Sequence, residues 1–273
     1  MSKTILITGS TDGIGLATAG MLVTQGHHVL LHGRNPGKLE KTQQSLSALP
    51  GSGRVEGYIA DLQHLPDVAR LAQAVTEKHA RLDVLINNAG VFKTARTRTQ
   101  DGLDVRFAVN TLAPCLLTQR LLPLIGASGR VINLSSAAQS PVDLEALAGR
   151  ARLSDDLDAY AQSKLAITMW SRHAALALKE KGPVFIAVNP GSLLGTRMVR
   201  EGFGVSGKDI GIGANILVRM ALEDEFESAS GLYFDNDSGQ FASPHPDALV
   251  PQKCEDVVRA IEAVLADSMH LPD

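Results

Sequence analysis

Thr8-Gly9-Ser10-Thr11-Asp12-Gly13-Ile14-Gly15 decides the fold: it follows the apolar run Thr4-Ile5-Leu6-Ile7 and leads into a helix-compatible run, Leu16-Ala17-Thr18-Ala19-Gly20-Met21-Leu22-Val23. A β-rich run, a glycine-spaced turn and a helix start put free backbone N–H groups and the positive end of a helix dipole at one point, where an anion is favoured. Glycines there let the main chain approach a pyrophosphate closely. The spacing is Gly-x-x-x-Gly-x-Gly, which differs from the Gly-x-Gly-x-x-Gly fingerprint of the general dinucleotide fold.

Outward from this turn, short β-rich runs alternate with longer helical patterns. Strands are expected at 4–8, 29–32, 55–60, 84–87, 131–134, 185–189 and 232–234. Helical patterns lie between them, among them 38–49, stopped by Pro50-Gly51, and 67–78, preceded by Leu65-Pro66. Further helices are expected at 104–124, 157–181 and 255–266. This alternation predicts an α/β fold: a parallel, about seven-stranded sheet buried on both faces by helices. No repeat or linker interrupts it, so residues 1–273 read as one domain. Two segments, 137–157 and 191–209, are longer than ordinary connections. Both follow strands, so both are expected over a site at the carboxyl ends of the sheet.

Composition narrows the function classes. With 44% hydrophobic and 20% charged residues and no apolar run of about 20 residues, the chain reads as globular, with no membrane span. The first strand begins at Thr4, which leaves no room for a signal peptide, and a cytoplasmic location is expected. A net charge of -3 with interspersed signs offers no basic stripe for nucleic acid. Cys115 and Cys254 are too few for a disulfide framework or a paired-cysteine metal site. The eight histidines show no ligand spacing along the chain: His27 and His28 merely precede a strand, and His245 lies between prolines. No metal is expected.

Three further motifs carry chemistry. Asn87-Asn88-Ala89-Gly90 follows a strand and ends in small residues that permit close backbone approach. Asn133-Leu134-Ser135-Ser136 puts two hydroxyls just past a buried strand. Tyr160-Ala161-Gln162-Ser163-Lys164 puts a phenol and an amine on one helix face at i and i+4. A cation roughly 4 Å from a phenol is worth on the order of 4 kcal/mol at an effective dielectric near 20, or about three units from a reference of about 10. The Tyr160 phenol is therefore expected to titrate near neutrality, as a group that protonates a carbonyl oxygen must, with a serine sharing the developing charge.

Together with Asn189-Pro190-Gly191, these motifs and their order resemble the short-chain dehydrogenases/reductases, over about residues 3–235. The resemblance implies a doubly wound Rossmann fold and an oxidoreductase moving a hydride between a nicotinamide and a carbonyl or alcohol. It implies Tyr160 as acid/base, Lys164 as the group that holds the ribose and lowers the phenol pKa, Ser136 rather than Ser135 as the hydroxyl on the substrate oxygen, and Asn110 in support of a proton-relay water. The cofactor is implied to lie on Gly9, Ser10, Thr11, Asp12, Gly13, Ile14 and Gly15, with Asn88, Ala89 and Gly90 beside it. Asp61 and Leu62 are implied at the adenine, and Pro190, Gly191 and Thr196 around the nicotinamide. From Pro190 to Thr196 the chain is one residue longer than the commonest family spacing.

After the second strand, Leu30-Leu31-His32-Gly33-Arg34-Asn35 carries no carboxylate to accept the ribose hydroxyls of NAD, and Arg34 stands ready for a 2′-phosphate. NADP(H) is therefore expected over NAD(H), although Asp12 stands where many NADP-preferring relatives carry a base. Ser136 and Tyr160 are 24 positions apart, so the intervening segment reads as an insertion. The insertion and Ser230-Gly231-Leu232-Tyr233-Phe234 resemble the branch of retinol-dehydrogenase-like and protochlorophyllide-reductase-like enzymes. Val91, Phe92, Leu193, Leu194, Met198 and Phe203 either line an apolar substrate pocket or simply pack the loops. The long helices at 104–124 and 157–181 would allow homo-oligomerisation. The rival reading is a non-catalytic NADP(H)-binding sensor or scaffold, which would have no need of Ser136, Tyr160 and Lys164 together.

Overall fold

Each strand is a run of branched and aliphatic residues that a helix then covers, and the chain repeats that unit. The structure, a computed structural model, describes residues 1–51 and 53–268. Its elements are β1 (Thr4–Ile7), α1 (Gly13–Thr24), β2 (His28–Gly33), α2 (Pro36–Ser47), β3 (Val55–Ile59), α3 (Leu65–Lys78), β4 (Val84–Asn87), α4 (Val105–Phe107), α5 (Ala113–Ile125), β5 (Arg130–Leu134) and α6 (Leu144–Leu147). They continue as α7 (Asp156–Leu178), β6 (Val184–Asn189), α8 (Arg197–Phe203), α9 (Ile210–Leu222), β7 (Leu232–Asp235), β8 (Gln240–Ala242) and α10 (Pro251–Ser268).

The strands form one sheet in the order β3-β2-β1-β4-β5-β6-β7-β8. β1 to β7 run parallel, as expected, and β8 turns back antiparallel on β7 to make an eighth strand. Three residues with one large apolar side chain give β8 too little alternation to read in advance. One face carries α1, α2 and α9 over Ile5, Ile7, Leu31, Ile132 and Val188. The other carries α3, α5, α7 and α10 over Leu6, Leu30, Leu85 and Val131. Neighbouring strand residues point to opposite faces, and both sets are buried, so the strands read as continuous apolar runs.

Three expectations change here. The helix expected over 104–124 is broken: α4 gives way to a π-helical segment, Ala108–Leu112, before α5 begins. Pro114 has no N–H to donate to the carbonyl of Asn110 four residues back, and the ladder widens at that point. The insertion at 137–157 packs as a ledge instead of arching over the site. Its α6 buries Ala146 and Leu147 in the core shared with α10, and the Arg98 guanidinium donates to the carbonyls of Gly149 and Ala151 at 3.0 Å each. Finally, α10 packs along α7, so part of the helix surface expected to meet a second copy is taken up within the chain. Among the described residues, no helix is long and apolar enough to cross a membrane.

The start of α7 is held by a buried cation. Arg106, 1% exposed, pairs with Asp104 at 2.6 Å and also with Asp156 in the first turn of α7. Removing one partner of such a pair strands a charge away from water, at a cost of about 3–5 kcal/mol. Arg106→Met is expected to lower unfolding stability by about that amount in urea titrations. Arg150→Ala, which breaks the exposed pair with Glu145, is expected to cost under about 1 kcal/mol.

Candidate active site

The glycine turn is built for close approach. Gly9 has φ +64°, and a Cβ there would stand 2.9 Å from the Ala89 Cα. A Cβ on Gly15 would stand 2.4 Å from Asn88 Nδ2 and 2.6 Å from the Gly9 carbonyl oxygen. Asn88 explains that contact: its amide donates to the carbonyls of Thr8 at 2.8 Å and Gly9 at 3.1 Å, while the Ala89 N–H donates to the Thr8 hydroxyl at 3.1 Å. The loops after β1 and β4 are thus one unit. Asp12 caps α1 by accepting from the Gly13 N–H at 2.8 Å.

Not every residue of the turn faces outward. Ser10 is fully buried, and its N–H donates to the His32 carbonyl at 3.0 Å while its hydroxyl accepts from the His32 N–H at 2.9 Å. These bonds fasten the turn to β2. His32, which sequence reasoning passed over, fastens it further: Nδ1 accepts from the Gly9 N–H at 3.0 Å and Nε2 donates to the Ala60 carbonyl at 3.1 Å. That pattern requires the neutral ring, and burial pulls its pKa down to about 4. The signal available was a histidine inside a buried strand, directly before the Gly33-Arg34 turn.

At the adenosine end, Gly33 closes β2, and a Cβ there would stand 2.6 Å from the Thr11 Cγ2. The Thr11 methyl group fills the space an acidic side chain at position 33 would need. Arg34 follows, exposed, and makes no ion pair or side-chain hydrogen bond among the described residues. Asp12 is not a free negative charge: Lys38 of α2 pairs with it at 2.6 Å and holds its carboxyl below the usual range. Asp61 accepts from the Gln63 N–H at 3.0 Å and is half-buried, whereas the Leu62 side chain is buried in the core and leaves only its main chain for a ligand.

The catalytic candidates converge at the ends of β4 and β5. Of the paired serines, Ser135 is buried and engaged: its hydroxyl donates to the Lys164 carbonyl at 3.1 Å and meets the Thr168 hydroxyl at 2.6 Å. Ser136 is half-buried, its hydroxyl accepts from the Ala138 N–H at 3.1 Å, and it stands near enough to the Tyr160 phenol to lower its pKa. Tyr160 and Lys164 share one face of α7, with the Lys164 Nζ 5.6 Å from the Tyr160 ring centroid. Lys164 is 3% exposed and donates to the Leu134 carbonyl at 2.7 Å.

The direction of the tyrosine shift differs from expectation. Burial raises the Tyr160 phenol above its ordinary value, and the nearby Ser136 only partly offsets that. The lysine bears the larger change, since burial pulls it down to about 7. Its hydrogen bond goes to a neutral carbonyl, and that carbonyl supports the amine as well as the ammonium. Attraction between charges would lower the phenol, but the desolvation that both groups undergo outweighs it.

Asn110, on the π segment, joins these parts. Its Oδ1 accepts from the Val91 N–H at 2.8 Å, and its Nδ2 donates to the Val91 carbonyl and the Ser163 hydroxyl, both at 2.9 Å. Ser163 in turn donates to the Tyr160 carbonyl at 2.7 Å. Gly90 lies in the middle: a Cβ there would meet Asn110 Oδ1 at 3.5 Å, Lys164 Nζ at 3.6 Å and Met198 Cε at 3.6 Å.

The loop after β6 closes the third side. Thr196 caps α8 by accepting from the Val199 N–H at 3.2 Å, and its Cγ2 would be 3.5 Å from a Cβ on Gly13, so it stands over the glycine turn. Pro190 and Gly191 are anchored by residues that sequence reasoning missed. Asn236 donates to the Pro190 carbonyl at 2.9 Å, and Asp237 accepts from the Ser192 N–H at 2.8 Å and from Asn189 at 2.9 Å. Apolar side chains line the outer wall: Phe92 meets the Tyr160 ring edge-on at 5.3 Å and stacks on Phe203 at 5.2 Å, while Leu193, Phe203 and Val205 are exposed.

Because the Lys164 pKa is lower in the folded state than in the unfolded one, the unfolded chain binds the extra proton between pH 7 and about 10.5. This group's contribution to stability therefore rises with pH across that window and is least favourable below 7. Lys164→Met is expected to flatten the stability-versus-pH curve there and to raise stability near pH 7 by a few kcal/mol, read by urea unfolding at several pH values.

The sequence and the fold both have counterparts among known proteins. The short chain dehydrogenase family matches residues 3–203. The chain is 32% identical over 260 residues to Retinol dehydrogenase 13 of Mus musculus, covering 89% of this chain and 78% of that protein. It is 31% identical over 255 residues to Polyprenol dehydrogenase of Homo sapiens, covering 86% and 77%. Among solved structures, an uncharacterized protein from Mycobacterium Paratuberculosis aligns with a TM-score of 0.80 at 26% identity, over 97% of this chain and 93% of that one. The Pseudomonas aeruginosa RhlG/NADP active-site complex aligns with a TM-score of 0.69 at 26% identity, over 87% and 95%. A glycine turn stapled to the loop after β4, and a buried lysine one helical turn from a tyrosine, thus sit on a sheet and sequence held in common with these proteins: the chain belongs to the short-chain dehydrogenase/reductase family of oxidoreductases, in its retinol-dehydrogenase-like branch.

Proposed function

We propose that the chain transfers a hydride between NADP(H) and an apolar carbonyl or alcohol, with Tyr160 as the acid/base. The observation that carries this reading is the pairing at the strand ends of a half-buried phenol, near Ser136, with a buried amine on the same helix face. The residues present fit a dinucleotide, because the glycine turn leads directly into the α1 N-terminus, where free N–H groups favour a pyrophosphate, and Gly9 and Gly15 let that turn pack without a Cβ against Ala89 and Asn88. Bound there, the nicotinamide supplies or accepts the hydride.

The protein supplies the proton and the positioning. Ser136 and Tyr160 direct their hydroxyls at the substrate oxygen, and Tyr160 gives its proton as that oxygen gains charge. Lys164, poised near neutrality, stabilises the resulting phenolate and donates to the ribose. Asn110 holds the main chain at Val91 and positions the relay that returns the proton. Thr196 closes over the cofactor. Phe92 and Phe203 exclude water from the reacting face and favour an apolar substrate. Retinol and polyprenol, named in the relatives above, are apolar alcohols of the class such a wall would accept.

The preference for NADP(H) rests on Arg34 beside a position where Thr11 leaves no room for a carboxylate, and on Lys38 in the first turn of α2, whose pairing offsets Asp12. A related structure holds NADP. A cytoplasmic location and a small-molecule substrate belong to the same proposal.

The test follows nicotinamide absorbance with NADPH and NADH against retinoid, polyprenoid and small polar aldehydes. Tyr160→Phe is expected to lower kcat by about 10²–10⁴ while NADPH still binds. Arg34→Ala is expected to lower kcat/KM with NADPH by about one to two orders of magnitude and to leave NADH unchanged. Full turnover in Tyr160→Phe, equal efficiency with both nucleotides, or NADPH binding without oxidation across the whole panel would overturn the corresponding part.

A further inference from the structure

At the far end of the sheet from the nucleotide turn, three side chains from three elements converge. His28 opens β2, Glu56 lies near the start of β3, and His79 follows the last turn of α3, which runs back toward the same edge. Leu30 pairs in register with Glu56, and side chains two apart share a face, so His28 and Glu56 both point to the face that α3 covers. His28 Nε2 stands 3.0 Å from one carboxylate oxygen of Glu56, and His79 Nε2 stands 3.4 Å from the other. All three ligand atoms lie within 4.8 Å of one another.

We propose that His28, Glu56 and His79 bind a divalent transition-metal ion of the zinc class, as a structural site distinct from the nucleotide trough. One ligand atom from each residue lies within 4.8 Å of the others, and small side-chain shifts bring them to the roughly 3.3–3.5 Å spacing of tetrahedral zinc ligands at about 2.0–2.2 Å. The donor set of two imidazoles and one carboxylate is a borderline one that selects zinc over calcium or magnesium. His28 Nε2 is buried and lacks a hydrogen-bond partner despite its short distance to Glu56, because the two are not aligned for a hydrogen bond. A buried polar atom left this way needs a partner, and an ion between the ring and the carboxylate supplies one.

The surroundings accommodate the ion. The Tyr58 hydroxyl, now 2.8 Å from His79 Nε2 and 3.4 Å from Glu56 Oε2, is free to give its proton to the carboxylate once the ring nitrogen is ligated, orienting it from outside the coordination shell. Two cations are near. Arg54, 3.6 Å from Glu56, has a 76% exposed side chain that can swing into solvent, and Lys78 lies over the Tyr58 ring at 5.4 Å. Water takes the fourth position. Because β3 is the edge strand and pairs only with β2, such an ion would staple the sheet edge to α3. The ligands lie far apart in sequence, so no motif announces them.

The test titrates Zn²⁺, against a chromophoric chelator, into the full chain stripped of metal and free of any affinity tag, with His79→Gln and Glu56→Gln alongside. One equivalent is expected to bind and to raise Tm, with binding about 100-fold weaker in either variant while both still unfold cooperatively. X-ray absorption on the zinc-loaded wild type is expected to show imidazole and carboxylate ligands, which keeps the test decisive should a variant misfold. Equal binding by wild type and folded variants, sulfur ligation, or no binding below about 100 µM would overturn the proposal.

Discussion

The side-chain amide of Asn110 is the joint on which the site's geometry depends. It satisfies both main-chain groups of Val91 and reaches the Ser163 hydroxyl, which continues to the Tyr160 carbonyl. One side chain therefore sets the distance between the loop after β4, where a cofactor would lie, and the turn of α7 that carries the tyrosine and the lysine. Leaving such buried groups without a partner costs about 1–3 kcal/mol each, which keeps the joint in one arrangement. A regular α-helix would carry position 110 at a different angle. The π segment at Ala108–Leu112, placed where Pro114 interrupts the ladder, rotates the amide into the gap.

Around that joint, burial works on the two titratable groups in opposite senses. Removing water disfavours charge on both, so the phenol is pushed up and the amine pulled down, and their values move apart from nearly equal starting points. Burial thus favours the neutral form of each side chain. The apolar wall of Phe92 and Phe203 has the same physical origin: it keeps the dielectric low where charge would develop and leaves an open apolar surface toward solvent. Asp237 and Asn236, on the turn after β7, hold the segment after β6 by hydrogen bonds to its main chain.

Much of the fold was legible because its signals are local. The seven parallel strands were visible as runs of buried aliphatic residues, and the glycine turn was visible as a strand-to-helix transition that tolerates no Cβ at Gly9 or Gly15. Other features were hidden because their cause is not local. The Ser10 hydroxyl is engaged by the His32 N–H and the Leu62 side chain lies in the core, so each has only its main chain left to meet a ligand. The 137–157 insertion looked like a cover and is a ledge, since Ala146 and Leu147 found an apolar partner in α10, more than a hundred residues away.

What the sequence determined by itself was the order of elements, the anion-favouring turn, and the presence of a serine, a tyrosine and a lysine in the right succession, because backbone conformation and helix periodicity depend on neighbours within a few residues. What only the tertiary structure decided was which of Ser135 and Ser136 faces the tyrosine, which way each pKa moves, and that His28, Glu56 and His79 meet. Those outcomes depend on desolvation and on contacts between distant segments, and neither exists until the sheet has closed and its helices have covered it.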